Sequence, residues 1–278
     1  MLVAELMLAA TLLGRPAASP PGAPAAIATD SITTADPPAS LTVGDGRTVR
    51  LVGLGGARTA ELLIRIAAQI GDAVDAVTAF WGTDWQHDIV IVAAGSDAQF
   101  KALAGATAGA QWADIAAAAV ADHVDVVGHS ATGQRIVFAP GAAAMSDTAL
   151  RIVLRHELFH YATRADTAPD APRWLTEGVA DFIGRPDTAR PGPEQAAAMA
   201  QLPTDADLDT AGAARSLAYD RVWWFSRFVA DYYGPAALRT LYLRACGVGH
   251  PDVATAVRQT LGAEEPEVLS RWRQWLTG

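Results

Sequence analysis

Residues 146–161, SDTALRIVLRHELFHY, constrain the fold of this chain more than any other segment. The segment opens with Ser146, a residue type that commonly caps a helix, and its apolar residues then keep helical spacing. In a helix, residues four apart lie on one face with their Cβ atoms about 5–6 Å apart. His156 and His160 can therefore direct both imidazoles at one metal ion, and the fold has to bring further ligands to this helix face.

A second stretch, RWLTEGVADF, supplies carboxylates on the next predicted helix. Sixteen residues separate Glu177 from His160, which leaves room for this helix to turn back against the first. Asp181 lies one turn beyond Glu177, where it can accept the free ring N–H of a ligand histidine. Glu157 points about 100° away from His156 around its helix, so it misses the metal but reaches a water bound there.

These two motifs together, HELFH and W-L-x-E-G-x-A-D, resemble the gluzincin metallopeptidases, the thermolysin-like peptidase MA group. The resemblance implies a Zn²⁺ ion bound by His156, His160 and Glu177, and Glu157 as general base. It also implies a zincin-like fold and extends more loosely over residues 89–276. The spacing to the third ligand is shorter than in thermolysin-like enzymes, which leaves the subfamily open.

Members of that family also use a downstream tyrosine or histidine to stabilise an oxyanion. The residue most like it is Tyr219, in the stretch SLAYDRVWWFSRFVADYYG, and the alternatives are Tyr161 and His250. An aromatic residue at the head of a Trp/Phe-rich helix is also a common core or cap residue. The residues expected in the core of this helix are Trp223, Trp224 and Phe225.

Composition limits the chemistry that is open to the chain. Cys246 is the single cysteine, which excludes an intrachain disulfide and a cysteine-based zinc cluster, so a metal has to be held by histidine and carboxylate. The formal net charge is −9 and the basic residues do not cluster. This charge pattern argues against nucleic acid and acidic membrane surfaces as partners.

Patterning along the chain predicts an α+β fold in a domain over 41–278. Residues 41–145 are predicted to form a small mixed sheet with helices, and residues 146–278 a mainly α-helical half, with the active site between them. Strand 135–139 is expected to be the sheet edge along which an extended substrate lies. The predicted elements are a hairpin about 44–46, helices over 58–80, 97–104, 146–161, 173–183, 219–233, 235–246, 251–261 and 266–276, and strands over 87–94, 124–127 and 135–139.

The N-terminal residues have the outline of an export signal. Residues 2–14 form an apolar run, and an A-x-A cleavage pattern follows at residues 26–28. This predicts a signal peptide over 1–28, a linker over 29–40 and an exported protein. The segment lacks a basic n-region and contains Glu5, so a cytoplasmic protein is the alternative. The run is shorter than the roughly 20 residues that span a bilayer, which argues against stable membrane insertion.

The expected function is zinc-dependent hydrolysis of peptide bonds in a peptide or protein substrate. One alternative is a non-catalytic gluzincin-like binding module with a structural zinc or none. Another is a zinc amidase that acts on cell-wall peptide. The presence of Glu157 argues against the binding module, because a structural zinc has no use for a general base.

Overall fold

The chain folds as a mixed α+β protein, which confirms the predicted class. The structure is a computed structural model that describes residues 3–8, 37, 39–105 and 115–278, the first range as backbone. The predicted cleavage site at 26–28, and residues 29–36 of the predicted linker, lie outside the described residues.

Six strands form one sheet in the order β1-β5-β8-β4-β3-β2. Strands β3, β4 and β8 run parallel, whereas β2, β5 and β1 pair antiparallel with their neighbours. Strands β6 and β7 form a separate antiparallel hairpin. The bounds are β1 (Val3–Leu8), β2 (Ser40–Val43), β3 (Arg47–Gly53), β4 (Asp88–Ala93), β5 (Ile115–Ala121), β6 (His123–Asp125), β7 (Ser130–Thr132) and β8 (Arg135–Phe138).

The prediction that residues 135–139 form a sheet edge is wrong. Strand β8 lies inside the sheet, where Ile136 is the register partner of both Ile91 on β4 and Ala119 on β5. The error arises from β5, whose sequence IAAAAVA has neither the alternation nor the β-branched content that predicts a strand. Without β5, strand β8 is the last recognisable strand of the sheet.

Ten α-helices are present in the described residues, most of them in the second half of the chain. The segment Val253–Leu261 begins two residues later than predicted, and the segment Gly212–Tyr233 begins seven residues earlier. The bounds are α1 (Gly56–Trp81), α2 (Asp97–Ala104), α3 (Asp147–Thr163), α4 (Arg173–Gly184), α5 (Pro193–Met199), α6 (Asp205–Leu208), α7 (Gly212–Tyr233), α8 (Pro235–Cys246), α9 (Val253–Leu261) and α10 (Glu265–Thr277).

Helices cover both faces of the central strands. Successive side chains of a strand point to opposite faces, so Ile89 and Ile91 of β4 face the core formed with α1 and α3. Val92 joins Phe100 of α2 in a second, smaller core on the other face. Burial on both faces explains why β4 is an almost continuous apolar run.

The larger core continues from α1 and the sheet through the whole helical half. It includes Cys246, which is fully buried as a small apolar residue, and the predicted core residues Trp223, Trp224 and Phe225. Every helix in the described ranges is too short or too polar to cross a bilayer. The two halves of the chain therefore share one hydrophobic core, in which α3 is a central element.

Candidate metal centre

Helix α3 places two imidazoles side by side in the protein interior. Its first turn is capped by Ser146, whose hydroxyl accepts a hydrogen bond from the backbone N–H of Ala149 at 3.2 Å. His156 and His160 follow on one face, both buried, with their Nε2 atoms 2.9 Å apart. The predicted histidine pair is therefore formed by local helix geometry alone.

Helix α4 brings Glu177 to this pair, as the sequence predicts. One carboxylate oxygen lies 3.3 Å from His156 Nε2 and the other 3.6 Å from His160 Nε2. Tetrahedral ligands about 2.0–2.1 Å from a zinc ion are roughly 3.3 Å apart. The donor atoms of the three side chains thus lie close enough together for one metal site.

Close helix packing makes the approach of α4 possible. A Cβ atom on Gly178, the residue after Glu177, would lie 2.7 Å from the carbonyl oxygen of Val222 on α7. A Cβ atom on Gly184 would lie 2.9 Å from the carbonyl oxygen of Ile152 on α3. Both glycines are therefore needed on packing grounds, and they set the distances from α4 to its two neighbours.

The beginning of α4 is held by a residue far along the chain. Pro172 precedes the helix and offers no side-chain cap. The carboxylate of Asp205, on α6, accepts hydrogen bonds from the backbone N–H groups of Arg173 at 3.2 Å and Trp174 at 2.9 Å. A carboxylate at this end also complements the helix dipole.

Glu157 lies beside the ligands and is fully buried. Its Oε2 atom accepts a hydrogen bond from the backbone N–H of Ala119 on β5 at 2.7 Å, whereas its Oε1 atom has no hydrogen-bond partner in the described residues. Burial raises the pKa of Glu157 to about 7, and the charges of His156 and His160 limit that rise. A carboxyl group in this state can exchange a proton near neutral pH.

Strand β5 is fastened to α3 at Ala119. The carbonyl oxygen of Ala119 accepts a hydrogen bond from the guanidinium of Arg164 at 2.9 Å, and the N–H group of Ala119 donates one to the carboxylate of Glu157. On the outer side, the backbone of Glu5 in β1 is the register partner of Ala119. Sequence analysis missed Arg164, which directly follows the last residue of α3.

Asp181 occupies the place predicted for it behind a ligand. One carboxylate oxygen is 2.9 Å from Nδ1 of His156, which leaves Nε2 to face the metal position. Burial alone would lower the pKa of His156, but hydrogen bonds and charges from Asp181 and Glu177 outweigh it and raise that pKa to about 10. Without metal, this histidine therefore carries a proton that a metal ion has to displace.

Arg185 is a further member of the site that sequence analysis missed. It forms an ion pair with Asp181 at 2.6 Å and donates a hydrogen bond to Asp220 of α7 at 2.7 Å. Burial would raise the pKa of Asp181, but the positive charges of Arg185 and His156 lower it. The spacing from Asp181, four residues, is a helical ion-pair signal that the sequence already contains.

Tyr219 reaches the ligand cluster from α7. The helix begins at Gly212, so Tyr219 lies two turns inside it, with 4 % of its surface exposed, and its hydroxyl hydrogen-bonds to Glu177. Burial, followed by the charges of Glu177 and Asp181, raises the pKa of Tyr219 well above its ordinary value. The phenol is therefore a hydrogen-bond donor at neutral pH.

The two alternatives to Tyr219 lie in other surroundings. The hydroxyl of Tyr161 donates to the carbonyl oxygen of Asp88 at 2.6 Å, at the start of β4. Nδ1 of His250 is 3.0 Å from the carbonyl oxygen of Pro251, and its Nε2 is 3.5 Å from Asp170. Neither residue contacts the ligand cluster.

The donor set fits a metal ion. Two imidazole nitrogens and a carboxylate suit zinc and several other first-row divalent metals. A carboxylate oxygen of Glu177 and one of Glu157 are buried without a hydrogen-bond partner in the described residues. Buried charge of this kind is costly unless it is paired or coordinates a metal. The site could therefore hold a metal ion, with His156, His160 and Glu177 as the candidate ligands.

Comparison of the chain with protein-family models, with curated proteins and with solved structures gives no match. The description of the centre therefore rests on the residues and the geometry of this chain.

Proposed function

We propose that this chain is a zinc-dependent metallopeptidase of the gluzincin type, with a zincin-like arrangement of sheet and helices. The observation that carries the proposal is the convergence of His156, His160 and Glu177 with a second buried carboxylate, Glu157, beside them. A structural zinc site is closed by four protein ligands, whereas a catalytic site keeps three and leaves a position open.

Zinc is the metal we propose because it is commonly bound by two histidines and a glutamate in catalytic sites. When bound, it would supply Lewis acidity, which activates a water molecule and polarises the substrate carbonyl. Harder ions such as Ca²⁺ and Mg²⁺ prefer sites made of oxygen ligands, so the imidazole pair disfavours them.

In the proposed reaction Glu157 moves the proton. Its Oε1 atom is available to accept a proton from the attacking water and to return it to the leaving amine. Its Oε2 atom is held by the N–H group of Ala119, which fixes the orientation of the carboxyl group. A pKa of about 7 suits a general base that works near neutral pH.

Tyr219 is proposed to stabilise the oxyanion. Its hydroxyl hydrogen-bonds to Glu177 at the ligand cluster, and its raised pKa keeps the proton on the phenol. A hydrogen-bond donor aimed at developing negative charge is among the larger contributions to catalysis in water-excluded sites.

The ligand cluster is closed to water in this structure, since the side chains of His156, Glu157 and Glu177 are at most 2 % exposed. A peptide therefore reaches the metal position only when a covering element moves. Opening and closing of lids or loops controls substrate access in many enzymes.

The test compares the full chain with the variants Glu157→Gln and Glu61→Gln, the latter an exposed glutamate on α1 that serves as a matched control. Zinc content after dialysis is measured by elemental analysis, and cleavage of a pool of unstructured peptides by mass spectrometry. We expect about one zinc per chain in all three proteins. Turnover should fall by about 10²–10⁴-fold in Glu157→Gln alone, since a general base is lost.

Two results would contradict the proposal in different ways. Equal turnover of Glu157→Gln and the unchanged chain would remove Glu157 from the mechanism. Stoichiometric zinc without cleavage of any peptide would favour the non-catalytic binding module.

A further inference from the structure

Arg185 directly follows the last residue of α4 and contacts Asp181, which in turn contacts His156. Its guanidinium forms an ion pair with Asp181 at 2.6 Å and donates a hydrogen bond to Asp220 of α7 at 2.7 Å. The side chain is 16 % exposed, and the guanidinium lies 5.2 Å from the ring centroid of Trp223. Two carboxylates and an aromatic ring thus fix one arginine.

The contacts of Asp181 continue this connection to the metal ligands. One oxygen of Asp181 meets Nδ1 of His156 at 2.9 Å, and the other meets Arg185. The contact with Arg185 is an ion pair without an aligned hydrogen bond, and rotation of the carboxylate would break one of the two contacts. The orientation of the His156 ring therefore depends on the position of Arg185.

The same arginine also fixes the helix that carries Tyr219. Asp220 is the next residue of α7, and α7 makes the most extensive helix contact of α4. Arg185 thus bridges the carboxylate behind the ligand histidine and the helix segment whose tyrosine contacts Glu177. One side chain sets both positions.

We propose that Arg185 is a positioning residue that orients His156 through Asp181 and holds α7 in the register that places Tyr219 at the cluster. This inference rests on the proposed function, because it concerns the affinity and geometry of the same metal site. A planar guanidinium can bind two carboxylates in fixed directions, whereas the ammonium of lysine is a point charge on a flexible stem. Lysine should therefore replace Arg185 only in part.

The experiment uses the full chain and three variants: Arg185→Gln, Arg185→Lys and Arg271→Gln. Arg271 of α10 pairs with Glu267 four residues away and donates a hydrogen bond to the hydroxyl of Tyr233, the last residue of α7, so its variant removes an ion pair and a contact to α7 without touching Asp181. Zinc affinity is measured by competition with a chromogenic chelator, and circular dichroism establishes that each metal-free protein is folded.

We expect zinc affinity to fall about 10- to 100-fold in Arg185→Gln, as for the loss of other residues that orient metal ligands. The fall should be smaller in Arg185→Lys, and Arg271→Gln should bind zinc like the unchanged chain. The visible absorption of bound Co²⁺ should shift in Arg185→Gln, because it reports the geometry of the ligands and not the stability of the fold.

The outcomes separate the inference from the proposed function. Folded Arg185 variants that bind zinc with unchanged affinity and give an unchanged Co²⁺ spectrum would overturn the positioning role and leave the metallopeptidase proposal standing. Should Arg185→Gln not fold, the same comparison is made with Arg185→Lys, which keeps the charge. An unchanged chain that binds no zinc would overturn both.

Discussion

Two buried charged groups in this protein are satisfied in opposite ways. Arg47, at the start of β3, is fully buried, and its guanidinium lies 3.5 Å from the ring centroid of Trp85. It donates hydrogen bonds to the carbonyl oxygens of Trp85, Gln86 and Thr83 at 2.9, 3.1 and 2.8 Å and to the carboxylate of Asp45 at 3.1 Å. Its Nε atom has no aligned hydrogen bond in the described residues but lies 3.1 Å from the carboxylate of Asp45, so the charge of this group is paired within the chain.

The cluster on α3 and α4 is not complete. Two imidazoles and two glutamates share a small volume, and an oxygen of each glutamate has no hydrogen-bond partner in the described residues. A buried charge costs several kcal/mol, on the order of the stability of a domain, unless it is compensated. The comparison shows that the chain can satisfy a buried charge where the role is structural. The oxygens that remain at the cluster are the ones that a metal and a proton would use.

The largest effect is expected at the structural charge. Replacement of Arg47 by Met removes the guanidinium that pairs with Asp45 and donates to three carbonyl oxygens, so the free energy of unfolding should fall by about 3–5 kcal/mol. Zinc affinity should not change. Urea unfolding measures the first quantity and chelator competition the second.

The control is Arg50→Met, an exposed arginine on the same strand, which should change stability by less than about 0.5 kcal/mol. An Arg47→Met protein as stable as the unchanged chain would contradict the structural role assigned to Arg47.

The second effect is a dependence of stability on pH in the metal-free protein. Glu157 has a pKa raised to about 7 and His156 one raised to about 10, so the folded state binds protons more tightly than the unfolded chain. The stabilisation from His156 is complete below its ordinary pKa of 6.5 and is lost as pH rises through 10. That from Glu157 is lost between its ordinary 4.5 and 7.

The unfolding free energy of the metal-free protein should therefore decrease between pH 6.5 and 10 by several kcal/mol, at about 1.4 kcal/mol per pKa unit. Saturating zinc should remove most of this decrease, because the metal takes the place of the proton. Urea unfolding at a series of pH values, with and without zinc, measures both. Rising stability over this range in the metal-free protein would contradict the buried proton at His156.

The third effect concerns a proposed ligand. Glu177→Gln removes a carboxylate that lies 3.3 Å from the protonated imidazole of His156, so the metal-free protein should lose stability near neutral pH. Loss of a ligand should weaken zinc binding at least about 100-fold, more than loss of a residue behind the ligands. Unchanged zinc affinity in Glu177→Gln would show that Glu177 is not a ligand.

The smallest effect concerns the packing that brings the cluster together. Gly178→Ala places a methyl group 2.7 Å from the carbonyl oxygen of Val222, which should cost about 1–3 kcal/mol through overpacking. The matched control is Gly71→Ala, inside α1, where a Cβ meets nothing within 4 Å. Alanine should stabilise α1 there by up to about 1 kcal/mol. Thermal unfolding of both variants distinguishes crowding from helix propensity.

Local geometry decides how much of the molecule could be predicted from its sequence. The histidine pair follows from a four-residue spacing on one helix, and the segments 97–104 and 235–246 were predicted with the bounds that the structure has. The bounds of α3 and α4 were also close to those observed. The capping residues, helix breakers and periodic apolar residues of these elements can be recognised from the local sequence alone.

The parts that sequence analysis missed depend on distant contacts. Strand β5 is a run of alanines whose extended form is set by its pairing with β8. Helices α5 and α6 are short and were not predicted, and α7 begins before its aromatic residues. Arg164 joins the site through its contact with β5, and the link of Arg185 to α7 depends on Asp220, although its pair with Asp181 follows from a four-residue spacing.

The cap of α4 has a consequence for the order of events in folding. The histidine pair needs only α3, but the first turn of α4 takes its cap from Asp205, about thirty residues further along the chain. In a chain in which α3 forms before α6 docks, the two histidines would meet before the third candidate ligand joins them. Metal captured early would be held loosely and exchange freely, and it would become firmly bound only when α6 docks. The docking of α6 would thereby mark the change from weak, reversible metal binding to tight binding.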